Sequence, residues 1–203
     1  MEFIEKIKSV LTEPSRFFSQ IGKEKGIGPA FVYLLVLTII SSILAYIVMI
    51  FTGNLSAKIM YTMMGAGELA AMADPTLIYG SGMLFFLFII GIIAALVGSF
   101  VVAAILHVWI LIFGGKNTYV ETYKLYVYKS TPSLLLGWIP LLNMLTWIWG
   151  LVLLIIGTMK VHNISKKRAI LMYVIPLIVL LAFFILGMVM FGMLMARTTT
   201  FGY

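Results

Sequence analysis

The chain contains no cysteine and only seven acidic residues, none of them beyond Glu121. The first absence excludes disulfides, thiolate metal centres and cysteine nucleophiles. The second leaves residues 122–203 without a carboxylate to couple an ion inside a membrane. Charge of either sign is scarce: 10% of the 203 residues are charged, against about a quarter in a soluble domain. With 63% hydrophobic residues the chain is expected to form one integral membrane domain, with no separate soluble one. Residues 1–28 contain four glutamates and no apolar run, so no cleavable leader is expected and the first span is read as an uncleaved anchor.

What is present is four long apolar blocks and one shorter block containing proline. They predict spans at about 30–52, 80–113, 123–139, 143–159 and 169–196. The bases sort by alternate connections. Lys6, Lys8, Arg16, Lys23 and Lys25 precede the first block. Lys116 and Lys124 follow the second, and Lys160, Lys166, Lys167 and Arg168 follow the fourth. The other side receives only Lys58 and Arg197, while Lys129 falls inside a span. Lys and Arg resist transfer across a bilayer, so the rich side is expected to be the cytoplasm. The fold expected is an all-α membrane bundle of five transmembrane helices, N-terminus cytoplasmic and C-terminus exoplasmic.

The net charge of +7 falls entirely in residues 122–203, which hold seven bases and no acid. Positive-inside bias and attraction to anionic headgroups account for it. Nucleic acid is not an expected partner, because these bases lie scattered at span ends rather than on one solvated face.

Residues 1–28 are read as a cytoplasmic, interfacial amphipathic segment ahead of the five-span domain of residues 29–203. Phe3, Ile4, Ile7, Val10 and Leu11 recur at helical spacing opposite Glu2, Glu5, Lys6 and Lys8. Pro14 restarts a helix that carries Phe17, Phe18 and Ile21. Such a stripe suits the headgroup layer or a docked soluble partner. The connection 53–79 is expected outside, with Met60, Met63, Met64 and Met72 as flexible apolar filler; a thioether copper site is the alternative chemistry.

The second block, at 34 residues, would run about 51 Å as a helix, longer than the ~30 Å hydrocarbon core. Gly91, Ala95, Ser99 and Ala103 recur every fourth residue in it, a ridge suited to close packing of another span or a second copy of the chain. Lys129 lies shallow enough in the third block to reach back to the cytoplasmic headgroups. Ser130, Thr131 and Thr158 read as interhelical hydrogen-bonders, Trp138 and Trp147 as interface aromatics, and Pro176 as a kink. His107, Glu121 and His162 all fall at the cytoplasmic ends of spans. Together they could ligate zinc or transfer protons. The simpler reading is that each hydrogen-bonds a span end and braces the bundle.

The order Pro14, His107, Gly114-Gly115, Glu121, Tyr128, Pro132, Trp138-Ile139-Pro140, Gly157, His162 and Arg168-Ala169 resembles the Yip family, integral membrane proteins named for interaction with Ypt/Rab GTPases. The resemblance covers most of the chain and implies five spans with the N-terminus inside. It resembles the compact prokaryotic form, placed in the cell membrane. About 28 residues precede the first span, where eukaryotic members carry a long cytosolic region, so direct GTPase binding is not expected. The function implied is that of a non-enzymatic membrane scaffold or organiser. Its partners would be the lipid bilayer, a second copy or other membrane proteins, with no cofactor and a role in membrane organisation or trafficking-like processes. The alternatives are a small-solute transporter or channel built on the Pro132…Pro140 span, and a metal-dependent membrane enzyme using His107, Glu121 and His162.

Overall fold

Helix formation here is dictated by the need to satisfy every backbone polar group where water is absent. The computed structural model describes residues 2–52, 55–63, 65 and 75–200, which contain helices and no strand. Met64, Met72 and most of the Gly65–Asp74 stretch of the long connection lie outside the described residues. Two short helices come first, α1 (Phe3–Thr12) and α2 (Pro14–Gln20), followed by a 3-10 turn at Ile21–Lys23. Reciprocal bonds between Glu2 and Glu5 form a capping box on α1, and Pro14 sits in the first turn of α2. Gly26 takes the left-handed conformation, φ 67°, and α3 (Gly28–Thr52) begins two residues later.

The short α4 (Leu55–Met63) follows, then α5 (Pro75–Ile112), whose backbone breaks at Gly80 with φ 65° and ψ 164°. The far end of α5 closes in a Schellman motif. Gly115 N–H donates to the Ile110 carbonyl and Gly114 N–H to that of Leu111, each at 2.9 Å. Gly114 has φ 90°, which glycine alone adopts cheaply.

Next come α6 (Tyr119–Lys129), α7 (Thr131–Leu136), α8 (Leu142–His162) and α9 (Lys166–Thr200). A left-handed Asn163, φ 55°, ends α8 and lets α9 start within four residues. Helix α9 runs unbroken through Pro176.

Among the described residues, four helices are long and apolar enough to cross a membrane: Gly28–Phe51, Gly82–Ile112, Leu142–His162 and Lys166–Met193. The third apolar block behaves differently. It begins earlier than its hydropathy suggests, at Tyr119, and divides at Ser130 into α6 and α7. Those pieces are about 16 and 9 Å long, so neither crosses a hydrocarbon core alone. Pro132, lacking an N–H, occupies the first turn of α7, where that loss costs least.

Packing is concentrated at one end of the bundle. Helix α6 is walled by α3, α5, α8 and the 3-10 turn. Its Tyr123, Leu125, Val127 and Tyr128 are buried, together with Val10, Phe17, Phe18, Tyr33, Ile110, Val161 and Met172 from the surrounding elements. At the opposite end the side chains from Ile178 to Met193 of α9 are all exposed. The apolar stripe of α1 and α2 is turned inward. Phe17 stacks edge-on to Tyr128 with ring centroids 4.9 Å apart, and Phe18 lies over Gly157, while Ile4 stays exposed. The small-residue ridge divides in two. Ser99 and Ala103 are buried, and Ser99 Oγ lies 3.2 Å from the Tyr123 hydroxyl. Gly91 and Ala95 are exposed, and a Cβ on Gly91 would meet nothing within 4 Å.

Candidate functional site

Helix ends that converge in an apolar core must hydrogen-bond one another, because unpaired polar groups there are costly. Two polar clusters do this at the packed end of the bundle. In the first, Thr122 sits between two histidines: His107 Nδ1 is 2.8 Å from its hydroxyl oxygen and His162 Nε2 is 3.0 Å from it. His107 comes from the last turns of α5, Thr122 from the start of α6 and His162 from the end of α8. One hydroxyl therefore ties three helices together. The imidazole centroids stand 6.2 Å apart.

His162 is completely buried and its Nδ1 has no hydrogen-bond partner among the described residues. That nitrogen lies against Gly115, where an added Cβ would come within 3.2 Å of it and 2.4 Å of Ile110 Cγ2. The Asn117 side-chain amide, donating to the Val161 carbonyl, clasps the same corner.

Glu121 does not join the histidine pair by hydrogen bond. Its carboxylate accepts from the Thr118 hydroxyl within the first turn of α6. Among the described residues no three His, Cys, Asp or Glu side chains gather closely enough to hold a metal ion. The arrangement suits bracing, and Thr122 was the member sequence spacing gave no reason to select. Thr122→Val keeps the shape but strips both imidazoles of their partner. Its expected cost is about 1–3 kcal/mol, read as thermal unfolding in micelles, with Thr122→Ser close to the parent. Equal stability of the Val variant would show that the hydroxyl does not brace the bundle.

The second cluster was not visible in the sequence at all. Lys124, expected in a cytoplasmic connection, is 1% exposed in the middle of the core. Its ammonium donates to the backbone carbonyls of Ile21 (3.3 Å) and Glu24 (2.6 Å). The Glu24 carboxylate pairs with Lys6 at 2.5 Å and accepts from the Tyr128 hydroxyl at 2.6 Å. This network ties α1 and the 3-10 turn to the centre of α6, some hundred residues later in the chain.

The remaining residues of interest are spread out. Lys129 Nζ lies 5.1 Å from the Tyr126 ring centroid, leaning back toward the start of α6 as helix side chains do. Thr131 bonds the Tyr33 hydroxyl at 2.9 Å and Thr158 that of Tyr173 at 2.8 Å, each linking two helices. Pro14 and Pro132 open helices, Pro140 lies in the turn before α8, and the Arg168 guanidinium donates to the Phe113 carbonyl at 3.4 Å. Trp138 donates to its own turn, at the Leu135 carbonyl.

Most positions that carried the family resemblance thus lie in or beside the packed end: Tyr128 and Gly157 in the core, His107 and His162 in the threonine bridge, Arg168 on the Gly114 loop. No curated protein and no solved structure matches the chain. The Yip1 domain family pattern matches residues 8–188, nearly the whole length and every helix of the core, and the chain belongs to that family of multi-pass membrane proteins.

Proposed function

We propose that this protein is a non-enzymatic membrane organiser that acts by packing against itself or other membrane proteins. The observation that carries this reading is how its reactive side chains are used. His107, His162, Glu24, Lys6 and Lys124 bond to neighbouring elements of the same bundle. Meanwhile α5 and α9 present long exposed apolar faces. The proposed placement is five crossings with the N-terminus in the cytoplasm. Parity supports it. Thr122 holds the end of α5, the start of α6 and the end of α8 at one level. If α8 crosses, its start lies on the far side, and the connection 137–141 is too short to return. The α6–α7 pair then makes the remaining crossing together. The bases of residues 1–28, of 116–124 and of 160–168 all fall on the near side.

Because the chain has no native cysteine, single introduced cysteines report contacts cleanly. In native membranes Ala95→Cys, on the exposed half of the ridge, is expected to give an oxidative cross-linked dimer or an adduct with another membrane protein. Ala103→Cys, buried against α6, is expected to give neither. Absence of both products from Gly91→Cys and Ala95→Cys, with no co-purifying membrane protein, would end the organiser reading.

A further inference from the structure

We infer that the cytoplasmic end of α5 carries a binding site for one anionic phospholipid of the inner leaflet. The inference rests on the membrane placement proposed above and needs no protein partner. Along the last three turns of α5, Val102, Ile105, Val108, Trp109 and Ile112 line an open apolar recess of about 640 Å³. It faces away from the core, since Ala103 and Ile110 on the opposite side of the helix are buried. Its flank is fixed: the Trp109 indole N–H donates to the Met172 carbonyl of α9 at 3.3 Å.

Directly beyond Ile112 the chain turns through Phe113 and Gly114, and Arg168 reaches that turn from the start of α9. Lys166 and Lys167 adjoin it in sequence and Lys116 follows in the loop; all four cations are exposed. None has a carboxylate within ion-pair distance among the described residues, and the nearest acid in sequence, Glu121, is engaged by Thr118.

A hydrocarbon-lined recess that ends at a turn reached by Arg168, with Lys116, Lys166 and Lys167 adjoining in sequence, is complementary to a molecule with an acyl chain and a phosphate. The recess alone would accept any lipid; the charge selects an anionic one. Each Lys or Arg near a surface attracts anionic lipid, and several together support a preference of at least about tenfold. The same level of the bilayer that takes the chain into the recess puts its headgroup at the Gly114 turn.

Trp109 is a built-in reporter. The protein in phosphatidylcholine vesicles receives small mole fractions of phosphatidylglycerol with dibrominated chains, or of phosphatidylcholine with the same chains. The fluorescence lost in Trp109→Phe isolates the Trp109 signal from Trp138, Trp147 and Trp149. Half-quenching of that signal is expected at about tenfold less brominated phosphatidylglycerol than phosphatidylcholine. Lys116→Gln/Lys166→Gln/Lys167→Gln, which leaves only Arg168, should shrink the difference, and millimolar glycerol phosphate should not restore fluorescence. Equal quenching by the two lipids in the parent protein, or a preference undiminished by the triple substitution, would overturn the site. Displacement by glycerol phosphate would also overturn it, in favour of a soluble phosphate ligand. A Trp109 signal untouched by either brominated lipid would remove the membrane placement itself. Should Trp109→Phe not fold, native mass spectrometry of the unsubstituted protein against the triple variant reads the same preference as retained phosphatidylglycerol adducts.

Discussion

Gly157→Val is expected to destabilise the protein by about 1–3 kcal/mol or more, and to loosen α2 from the bundle. Gly157 is buried on α8 where α2 and α6 converge. A Cβ there would lie 2.1 Å from Leu125 Cδ1 and 3.2 Å from two ring carbons of Phe18. Leu125 is fully buried and Phe18 is 1% exposed, so neither can swing away without moving its helix. The check is thermal or detergent unfolding by circular dichroism, with protease sensitivity of residues 1–27 as the local readout. Leu125→Ala alone should cost about 2–5 kcal/mol by leaving a cavity. Combined with Gly157→Ala, the new methyl occupies part of that cavity, and the double variant should lose less than the two single losses added. Strict additivity would show that the two residues do not meet.

The second large effect is expected at Glu24. Glu24→Ala removes at once the partner of Lys6 and the acceptor of the Tyr128 hydroxyl. The Lys6 and Glu24 side chains are only 14% and 21% exposed, so solvent screens their pairing weakly. Breaking a fully buried pair costs about 3–5 kcal/mol, which sets a ceiling here; about 2–4 kcal/mol is expected. Glu24→Gln retains an acceptor for Tyr128 but not the charge, and should fall between. The damage should be local, appearing as faster trypsin cleavage after Lys23 and Lys25. Lys124 still holds the Glu24 backbone carbonyl, so α6 itself should remain in place. Unchanged proteolysis and melting in Glu24→Ala would show that α1 is held by apolar packing alone.

These two sites mark where sequence reasoning reaches and where it stops. Hydropathy located α3, α5, α8 and α9 because uninterrupted apolar runs have few other solutions in lipid. It found the third block but not its form. Pro132 signalled disruption, yet only neighbours on every side explain how a helix bearing Lys124 can sit in the core. Gly157 could be read as one element of a family pattern, not as the gap that admits Phe18. His107 and His162 were legible as residues at one end of the bundle. Their link through Thr122 was not, because a threonine carries no spacing signature. The Lys124 contacts were beyond reach for a plainer reason. Its acceptors are main-chain carbonyls of Ile21 and Glu24, and any residue type supplies a carbonyl. The ridge from Gly91 to Ala103 was identified as a unit, and its periodicity gave no sign that the two halves meet different surroundings.

The lopsided packing has a mechanical consequence. Beyond Leu177 the described side chains of α9 are all exposed, whereas α5 keeps Leu84, Phe88 and Ile92 against α3 far from the packed end. Tilting this part of α9 breaks no contact of the core, so the molecule can match sheets of unequal hydrophobic thickness at small cost while its packed end stays rigid. Such a body tolerates passage between thinner and thicker membranes without refolding.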